Sequence, residues 1–521
     1  MAPDRRGFRS PGRGLTALVL SLALVLLTLY GVRCVRRGAY APPDPSSPTS
    51  EHRKRQDRGS DFTAYYSAGE LARRGESLYD YELSSTPFRP FIYPPMFAIF
   101  PMLPLSCLGH NAALAVYYLL NVILLFAALW MLRGLLWGAP APGGPPGPFW
   151  RRPEVGLFLA LLACGRFLDS NFSSGNANVV ILFLLTTGLY ALQRNHGLGG
   201  GLAVALATAF KLTPGLFGLY FLWTRRGWAM LGGALGLALF LYLVPSLVLG
   251  FARNEQLLNG YWEYVKPQLG IPAGLFTTDS QPAKTPVIVG WKPAVQPQRG
   301  DTGEVKAEEE AVSETSPPRA FGISLRGTLQ KLLSKSVAMN HREPGASQRI
   351  NVANLEPQTA RRLADGLGLI LLLLCVALTL PFAARSGTFG PALSWSLVVT
   401  TMLLISPLTR KAHLVVLVLP AAVLIALLQQ NHFSMSASEK ERTGGRTEAL
   451  SSWTRRVAWS ALLAVGGIGL LTSPDVVGRQ ASEWLHAAGC FTGALLALYA
   501  ALALALWRPA HLSAINFPTP P

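Results

Sequence analysis

Long apolar blocks, separated by short polar connections, make up most of this chain. They lie at residues 15–32, 110–132, 155–170, 178–193, 199–210, 213–223, 228–250, 363–384, 390–406, 412–429, 457–473 and 484–507. A helix that crosses a bilayer needs about 20 mostly apolar residues. Shorter blocks interrupted by Gly or Pro are tolerated at membrane depth where they are packed in protein or line a cavity. The pattern therefore predicts an all-α integral membrane protein, a polytopic helical bundle of about 12 spans.

Two segments between the blocks have patterns of their own. Tyr93–Ser106 is short and contains four prolines, which predicts a short re-entrant or interfacial segment, with a full crossing as the alternative. Asp61 opens a segment of the long first outer loop in which apolar residues recur at helical spacing. This spacing predicts an amphipathic helix that is able to lie along the membrane surface. Its apolar stripe consists of Phe62, Tyr65, Tyr66, Ala68, Leu71 and Ala72.

The positions of Lys and Arg predict the orientation. Four arginines precede the first block, whose length and following residues Cys34–Arg37 differ from those of a cleaved signal peptide. We therefore expect a multi-pass protein of the cell (plasma or inner) membrane with a cytoplasmic N-terminus. The predicted inner connections all carry Lys or Arg, whereas the short outer connections are poorer in charge. The basic cluster between Arg36 and Arg58 falls on the outer side and departs from this rule.

The composition supports an integral membrane protein and excludes other classes of protein. Half of the 521 residues are hydrophobic and 14% are charged, against roughly 25% charged residues in a soluble protein. This excludes an ordinary cytosolic enzyme and a disordered protein. The net charge of +18 is explained by basic residues that flank spans, so we expect no nucleic acid partner. The five cysteines are scattered, mostly within apolar blocks, which favours small core residues over disulfides or a metal site.

Unusual polar residues gather at the outer ends of the apolar blocks in this topology. Asp61 opens the predicted amphipathic helix, and an Asn-rich turn, NFSSGNAN, ends at Asn178. Lys211 lies between two half-length apolar segments, and the segment from Arg410 to His413 precedes another block. Their agreement under an orientation chosen from other residues predicts a functional site on this side.

Each of these residues also has a structural interpretation. A charge inside a membrane costs about 2.5 kcal/mol or more, so Lys211 is a functional candidate for holding an anion. The alternative is that its ammonium group extends to the interface. Asp61, beside Ser60, is equally explained as a helix N-cap, a role compatible with catalysis. His413 is explained either as an interfacial, hydrogen-bonded residue or as a site residue.

Several well-known catalytic patterns are missing from the sequence. It contains no Walker A loop, no HExxH motif and no Cys/His spacing of a metal site. The carboxylates around Asp61 do not form a DxD pair, so a metal-held nucleotide-sugar site has no support.

Four stretches resemble the polyprenol-phosphate-dependent mannosyltransferases of glycosyltransferase family 87, in the GT-C superfamily. They are DFTAYYSAGELARRGESLYD with FIYPPMFAIFPMLPLS, GNANVVILFLLTTGLYALQR, GGLAVALATAFKLTPGLFGLYFLWTRRGW and SPLTRKAHLVVLVLP, which together cover most of residues 55–430. The chain departs from the family in three places. Gly-Gln-x-Asn is here Gly175-Asn176-Ala177-Asn178, Asn-Gln-Ser is only Gly322-Ile323-Ser324, and Thr409-Arg410-Lys411 replaces a common aromatic residue.

The resemblance implies an enzyme, a hexosyltransferase with a GT-C-type fold. A hexose, mannose by analogy, would move from a polyprenyl-phosphate donor to a lipid or glycan acceptor at the outer face, with inversion and without a cofactor or metal. Asp61 matches the catalytic base of the family. Cations stabilise the leaving phosphate, and the candidates are Lys211, His413 and Arg410. The candidates for the substrate pocket are Tyr93, Asn176 and Asn178.

The implied domain organisation has three parts. Residues 1–430 form the GT-C-type catalytic domain, with a flexible Pro-, Gln- and Glu-rich outer-loop insertion at about 281–318. Residues 431–456 form a basic cytoplasmic linker, and residues 457–521 form C-terminal transmembrane helices and a short tail. The alternative function is a multi-span transporter or flippase of lipid-linked sugars, which also has broken helices and a buried Lys. The long outer loop that begins at Asp61 and the missing two-fold repeat of spans favour the enzyme.

Overall fold

The described part of the chain is helical almost throughout. A computed structural model describes residues 21, 25–36, 61–79, 91–138, 148–269, 319–320, 322–334, 337–338, 350–382, 389–407, 409–431 and 452–507. Within these ranges, the strands are two residues long each: β1 (Arg319–Ala320) pairs in parallel with β2 (Val337–Ala338). The predicted all-α class is confirmed. The predicted insertion at 281–318 and most of the linker at 431–456 lie outside the described residues.

The helices of the first half follow a short helical segment at residues 25–36. They are α1 (Asp61–Arg74), the broken helix α2 (Pro95–Leu105), α3 (His110–Trp137), α4 (Pro153–Ala163), α5 (Gly165–Ser174), α6 (Asn178–Gln193), α7 (Gly197–Phe210), α8 (Leu216–Trp223), α9 (Gly227–Leu249) and α10 (Phe251–Leu269). Short 3-10 turns lie at Phe149–Arg151 and Thr213–Gly215. Most connections here have only a few residues, so neighbouring helices pack against each other.

The second half contains both surface helices and central ones. They are α11 (Leu325–Leu333), α12 (Pro357–Thr379), α13 (Phe389–Ile405), α14 (Val418–Asn431), α15 (Ser452–Leu471), α16 (Pro474–Val477), α17 (Arg479–Ala487) and α18 (Cys490–Trp507). Further 3-10 turns lie at Leu380–Phe382 and Lys411–Leu417. In the most apolar 18-residue stretch of Lys411–Gln430, 94% of the residues are buried inside the protein. This places α14 and its leading 3-10 turn at the centre of the bundle.

Length and composition identify fewer complete spans than the apolar blocks predict. In the described ranges, five helices are long and apolar enough to cross a membrane, or up to six if α4 and α5, bent by 66°, form one span. The total of about 12 spans therefore stays a prediction. The apolar block at 484–507 contains the end of α17 and all of α18, which are separated at Gly489, with φ of +83°. The block at 412–429 begins as a 3-10 turn.

The segment Tyr93–Ser106 is too short to cross a bilayer alone. Its helix α2 has only 11 residues, about 17 Å of axial rise, and is broken at Phe100 by non-helical backbone angles. A typical hydrocarbon core is about 30 Å thick. The segment therefore has the length of the predicted re-entrant element.

Helix α1 forms as predicted, but its position differs from the prediction of a helix lying along the membrane surface. Ten of its 14 residues are buried, including the polar Thr63 and Ser67. A Cβ atom on Gly69 would lie 2.5 Å from the carbonyl oxygen of Met102, so only glycine permits the close contact with α2. The Tyr66 hydroxyl donates to the Leu108 carbonyl at 2.8 Å. Packing on both faces therefore replaces the expected lipid contact.

Candidate functional site

A tight turn between α5 and α6 brings the Asn-rich motif against the start of α1. Gly175 ends α5 in the left-handed conformation, with φ of +63°, and the Asn176 N–H donates back to the Asn171 carbonyl at 2.9 Å. A Cβ atom on Gly175 would lie 2.6 Å from Cβ of Phe62. Glycine is therefore required twice here, by the backbone angle and by the contact. The turn fixes Asn176 beside Asp61.

An unbroken line of hydrogen bonds joins Asp61 to Lys211. The Asn176 amide donates from Nδ2 to Oδ2 of Asp61 at 2.7 Å. Asn178, in turn, donates from Nδ2 to Oδ1 of Asn176. The Lys211 ammonium donates from Nζ to Oδ1 of Asn178 at 2.7 Å. Residues separated by 150 positions in the sequence are thus linked through two buried amide side chains.

The backbone at Lys211 explains why its side chain faces this line. Lys211 ends α7 with extended angles, φ of −156° and ψ of 121°, before the 3-10 turn at Thr213–Gly215. Pro214 cannot donate a hydrogen bond and disfavours a continuous helix here. The chain therefore breaks between α7 and α8, and the ammonium group lies inside the protein at the break.

Tyr93 lies against the same ammonium group. Its ring centroid is 5.8 Å from Nζ of Lys211, within the range of a cation–π contact. Its hydroxyl accepts a hydrogen bond of 2.9 Å from the Tyr65 hydroxyl, and its carbonyl accepts one of 2.7 Å from Tyr79. Helix α1 and the loop after it therefore hold Tyr93 in place.

A small cleft opens beside Lys211 and reaches the SPLTRKAHLVVLVLP stretch, here called the late motif. The cleft is lined by Asn178, Ile181, Lys211, Thr213, Met402, Leu403, Ser406, Thr409, His413 and Val416. Nδ1 of His413 accepts the backbone N–H of Arg410 at 3.3 Å, which ties these two candidates together at the start of the 3-10 turn. The cleft combines a cation, an imidazole and several hydroxyls within apolar walls, a set suited to an anionic group.

Helix α11 supports the late motif from outside. The Ile323 N–H donates to the Thr409 carbonyl at 2.9 Å, and its carbonyl accepts from Thr492 at 2.8 Å. Ser324 caps α11 by accepting the Gly327 N–H at 3.3 Å. Lys331 donates to the Gly322 carbonyl at 2.8 Å. The divergent Gly322-Ile323-Ser324 motif therefore has a structural role, docking α11 onto the segment that carries His413.

The structure brings together all seven residues singled out from the sequence: Asp61, Tyr93, Asn176, Asn178, Lys211, Arg410 and His413. The two asparagines, expected in a substrate pocket, connect Asp61 and Lys211, and Asn178 also lines the cleft. Sequence reasoning missed Tyr65, Thr213, Ser406 and Thr409. The break at Thr213-Pro214 and the Ser406-Pro407 step were the available signals for two of them.

Comparison with known proteins supports the family resemblance of the motifs. Residues 91–274 match the sequence model of glycosyltransferase family 87. The matched range contains Tyr93, Asn176, Asn178 and Lys211, whereas Asp61, Arg410 and His413 lie outside it. The resemblance stated from the motifs is thereby confirmed for about one third of the chain, from residue 91 to residue 274.

Two curated relatives are named as polyprenol-phosphate-mannose-dependent mannosyltransferases. The chain is 33% identical over 179 residues to a polyprenol-phosphate-mannose-dependent alpha-(1-2)-phosphatidylinositol mannoside mannosyltransferase of Mycobacterium tuberculosis, covering 34% of this chain and 40% of the relative. It is 30% identical over 172 residues to the corresponding pentamannoside mannosyltransferase of Mycolicibacterium smegmatis, covering 32% and 38%. The chain thus spans about two fifths of the length of these relatives.

Among solved structures, the chain is similar to ArnT from Cupriavidus metallidurans. The apo structure aligns with a TM-score of 0.36 and 14% identity, over 96% of this chain and 78% of ArnT. The structure bound to undecaprenyl phosphate aligns with a TM-score of 0.34, over 95% and 76%.

Proposed function

We propose that this protein is an integral-membrane glycosyltransferase that moves a hexose from a polyprenyl-phosphate donor to a lipid or glycan acceptor. The observation that carries the proposal is the line of hydrogen bonds from Asp61 to Lys211, with the cleft beside it. It holds a carboxylate and a cation at the two ends of one polar site. Such a pair suits a reaction that removes a proton at one end and releases an anion at the other.

In the proposed reaction, the acceptor hydroxyl attacks the anomeric carbon of the donor sugar while its proton passes to Asp61. Oδ2 of Asp61 is engaged by Asn176, which leaves Oδ1 for the hydroxyl. The new glycosidic bond forms as the bond from the anomeric carbon to the phosphate oxygen breaks, with inversion. The polyprenyl phosphate leaves as an anion and needs no proton. Its negative charge is stabilised by Lys211, Arg410 and His413 beside the cleft.

The names of the two curated relatives support mannose as the sugar, and both use a polyprenol-phosphate-linked donor. The positive-inside pattern supports a site at the outer face of the cell membrane. In the proposed reaction, the leaving anion is stabilised by side-chain cations, without a cofactor or metal.

The test is sugar transfer by purified protein carrying Asp61→Asn. Asparagine keeps the size of the side chain but cannot accept a proton, so transfer from a labelled polyprenyl-phosphate hexose should fall by about 100-fold or more. The matched control is Asp365→Asn, because Asp365 pairs with Arg326 at 2.8 Å on a different element. The control should keep wild-type transfer. Wild-type transfer by Asp61→Asn would remove Asp61 from the mechanism.

The same preparation separates the enzyme from a flippase of lipid-linked sugars. An enzyme moves the label from the lipid phosphate onto an acceptor, whereas a flippase moves the intact donor across vesicles. Translocation of intact donor without label transfer would overturn the proposal.

A further inference from the structure

The line from Asp61 to Lys211 has only one possible direction. An ammonium group can only donate hydrogen bonds and a carboxylate can only accept them. Each amide between them must therefore accept with its oxygen and donate with its nitrogen, as observed for Asn176 and Asn178. Reversing either amide would set two donors or two acceptors against each other.

The two amides are well placed to couple Asp61 and Lys211 electrostatically. Asn176 is 5% exposed and Asn178 is 2% exposed. In such surroundings hydrogen bonds are electrostatically stronger than in water, and successive bonds in a chain polarise each other. Both residues are held by the rigid turn at Gly175. A change in the charge of Lys211 therefore alters the electrostatic potential at Asp61, and a change in the charge of Asp61 alters the potential at Lys211.

Lys211 lies at the junction between this line and the cleft. It bonds to Asn178 on one side and lines the cleft on the other, whereas Asn176 does not line the cleft. An anion in the cleft would offset the positive charge of Lys211. The cation would then stabilise the ionised form of Asp61 less, so the carboxylate would become more basic.

We propose that Asn176 and Asn178 are positioning residues that couple the two ends of the site, so that a donor phosphate at Lys211 strengthens Asp61 as a base. This inference rests on the proposed function, because it takes the phosphate of the donor as the anion. A base gains efficiency as its pKa approaches the working pH. The coupling therefore favours proton removal from an acceptor only after the donor has bound.

The coupling is reciprocal and can be measured without any reaction. If phosphate binding makes Asp61 more basic, then protonation of Asp61 strengthens phosphate binding by the same factor. We expect the affinity of purified protein for undecaprenyl phosphate to be higher at acid pH, where Asp61 is protonated. The rise should be about tenfold for a coupling equivalent to one pKa unit. Asp61→Asn should remove this component and leave the pH dependence that comes from the phosphate and from Lys211 and His413, which line the cleft.

Variants of Asn176 test whether the amides carry the coupling. Asn176→Leu interrupts the line away from the cleft and should show the same pH dependence of binding as Asp61→Asn. Asn176→Gln restores an amide and should recover most of the wild-type dependence. The structural control is Asn254→Leu, since Asn254 is fully buried and its amide bonds to Ser246 at 3.1 Å, on a different pair of helices. This control should keep the wild-type dependence.

Each contrary result has its own meaning. Full wild-type dependence in Asn176→Leu would overturn the role of the amides and leave the proposed function intact. An unchanged dependence in Asp61→Asn would overturn Asp61 as the coupled group. Failure of the wild-type protein to bind undecaprenyl phosphate would overturn the inference together with its premise. Normal coupling without any sugar transfer would keep the inference about binding and count against the transferase alone.

Discussion

At the scale of single residues, the site is organised around the ammonium group of Lys211, which has polar and aromatic neighbours. Lys211 has an amide oxygen at 2.7 Å and a tyrosine ring at 5.8 Å. Both contacts stabilise an ammonium group, which argues against a side chain that merely extends to the interface. The cleft beside it has a volume of about 10 Å³, the size of one water molecule, so an anion reaches the ammonium group only when the lining side chains move.

Replacing Lys211 should therefore affect the use of the donor. A hydrogen bond to a charged group contributes about 1.5–3 kcal/mol, which corresponds to a rise of roughly 10- to 100-fold in KM for the polyprenyl-phosphate sugar in Lys211→Ala. The measurement is steady-state transfer at varied donor and fixed acceptor. Lys266→Ala should behave as wild type, because Lys266 pairs with Glu263 on α10. An unchanged donor KM in Lys211→Ala would exclude contact with the phosphate.

At the scale of elements, the residues of the site were predicted from the sequence more accurately than the positions of the helices around them. Asp61 and Lys211 were detectable because a charge beside apolar residues is rare. The burial of α1 was not detectable, since its apolar stripe suits a lipid surface as well as a protein interior. The 66° bend between α4 and α5 was also missed, because the apolar block at 155–170 runs across the junction between the two helices. Thr213, Ser406 and Thr409 resemble the many other hydroxyl residues within spans.

Helix α11 carries a second buried lysine, outside the spans. Burial lowers the pKa of Lys331 from 10.5 to about 8, and the residue is 6% exposed. Because the folded protein disfavours the charged amine, this penalty is complete below pH 8 and disappears as the pH rises towards 10.5. The shift corresponds to about 3 kcal/mol.

The expected result is a pH-dependent difference between Lys331→Met and wild type. From pH 7 to 10.5, the wild-type free energy of unfolding should rise relative to the variant by about 3 kcal/mol. Thermal unfolding of detergent-solubilised protein measures the change. Lys266→Met serves as the control for general effects of alkaline pH. A constant difference across this range would show that Lys331 is charged in the folded protein at pH 10.

At the scale of the whole molecule, Asp61 and Lys211 lie at one end of the bundle, where α1 and α6 begin and α7 ends, as the predicted orientation requires. The side of the membrane on which this end lies follows from the distribution of Lys and Arg. Ser77, just after α1, and Val476, in α16, are exposed and belong to the predicted outer side. Asn195, between α6 and α7, is exposed and belongs to the predicted inner side.

Cysteine labelling tests this orientation directly. In a Cys107→Ser background, which removes an exposed native thiol, Ser77→Cys and Val476→Cys should react with an impermeant maleimide in intact cells. Asn195→Cys should react only after permeabilisation. Gel-shift detection of a maleimide-linked polymer gives the labelled fraction. Labelling of Ser77→Cys and Asn195→Cys from the same side would reject the topology.

The bend between α4 and α5 has a consequence for the lipid around the protein. If α4 stands along the membrane normal, its 11 residues rise about 17 Å, and the 10 residues of α5, tilted by 66°, add only about 6 Å. The sum of about 23 Å is less than the hydrocarbon thickness of about 30 Å. A short hydrophobic element is accommodated by local thinning of the bilayer. Head groups and water would then dip inwards beside the Gly175 turn, and the lipid-linked donor of the proposed reaction would reach Asp61 with its isoprenoid chain still dissolved in the membrane.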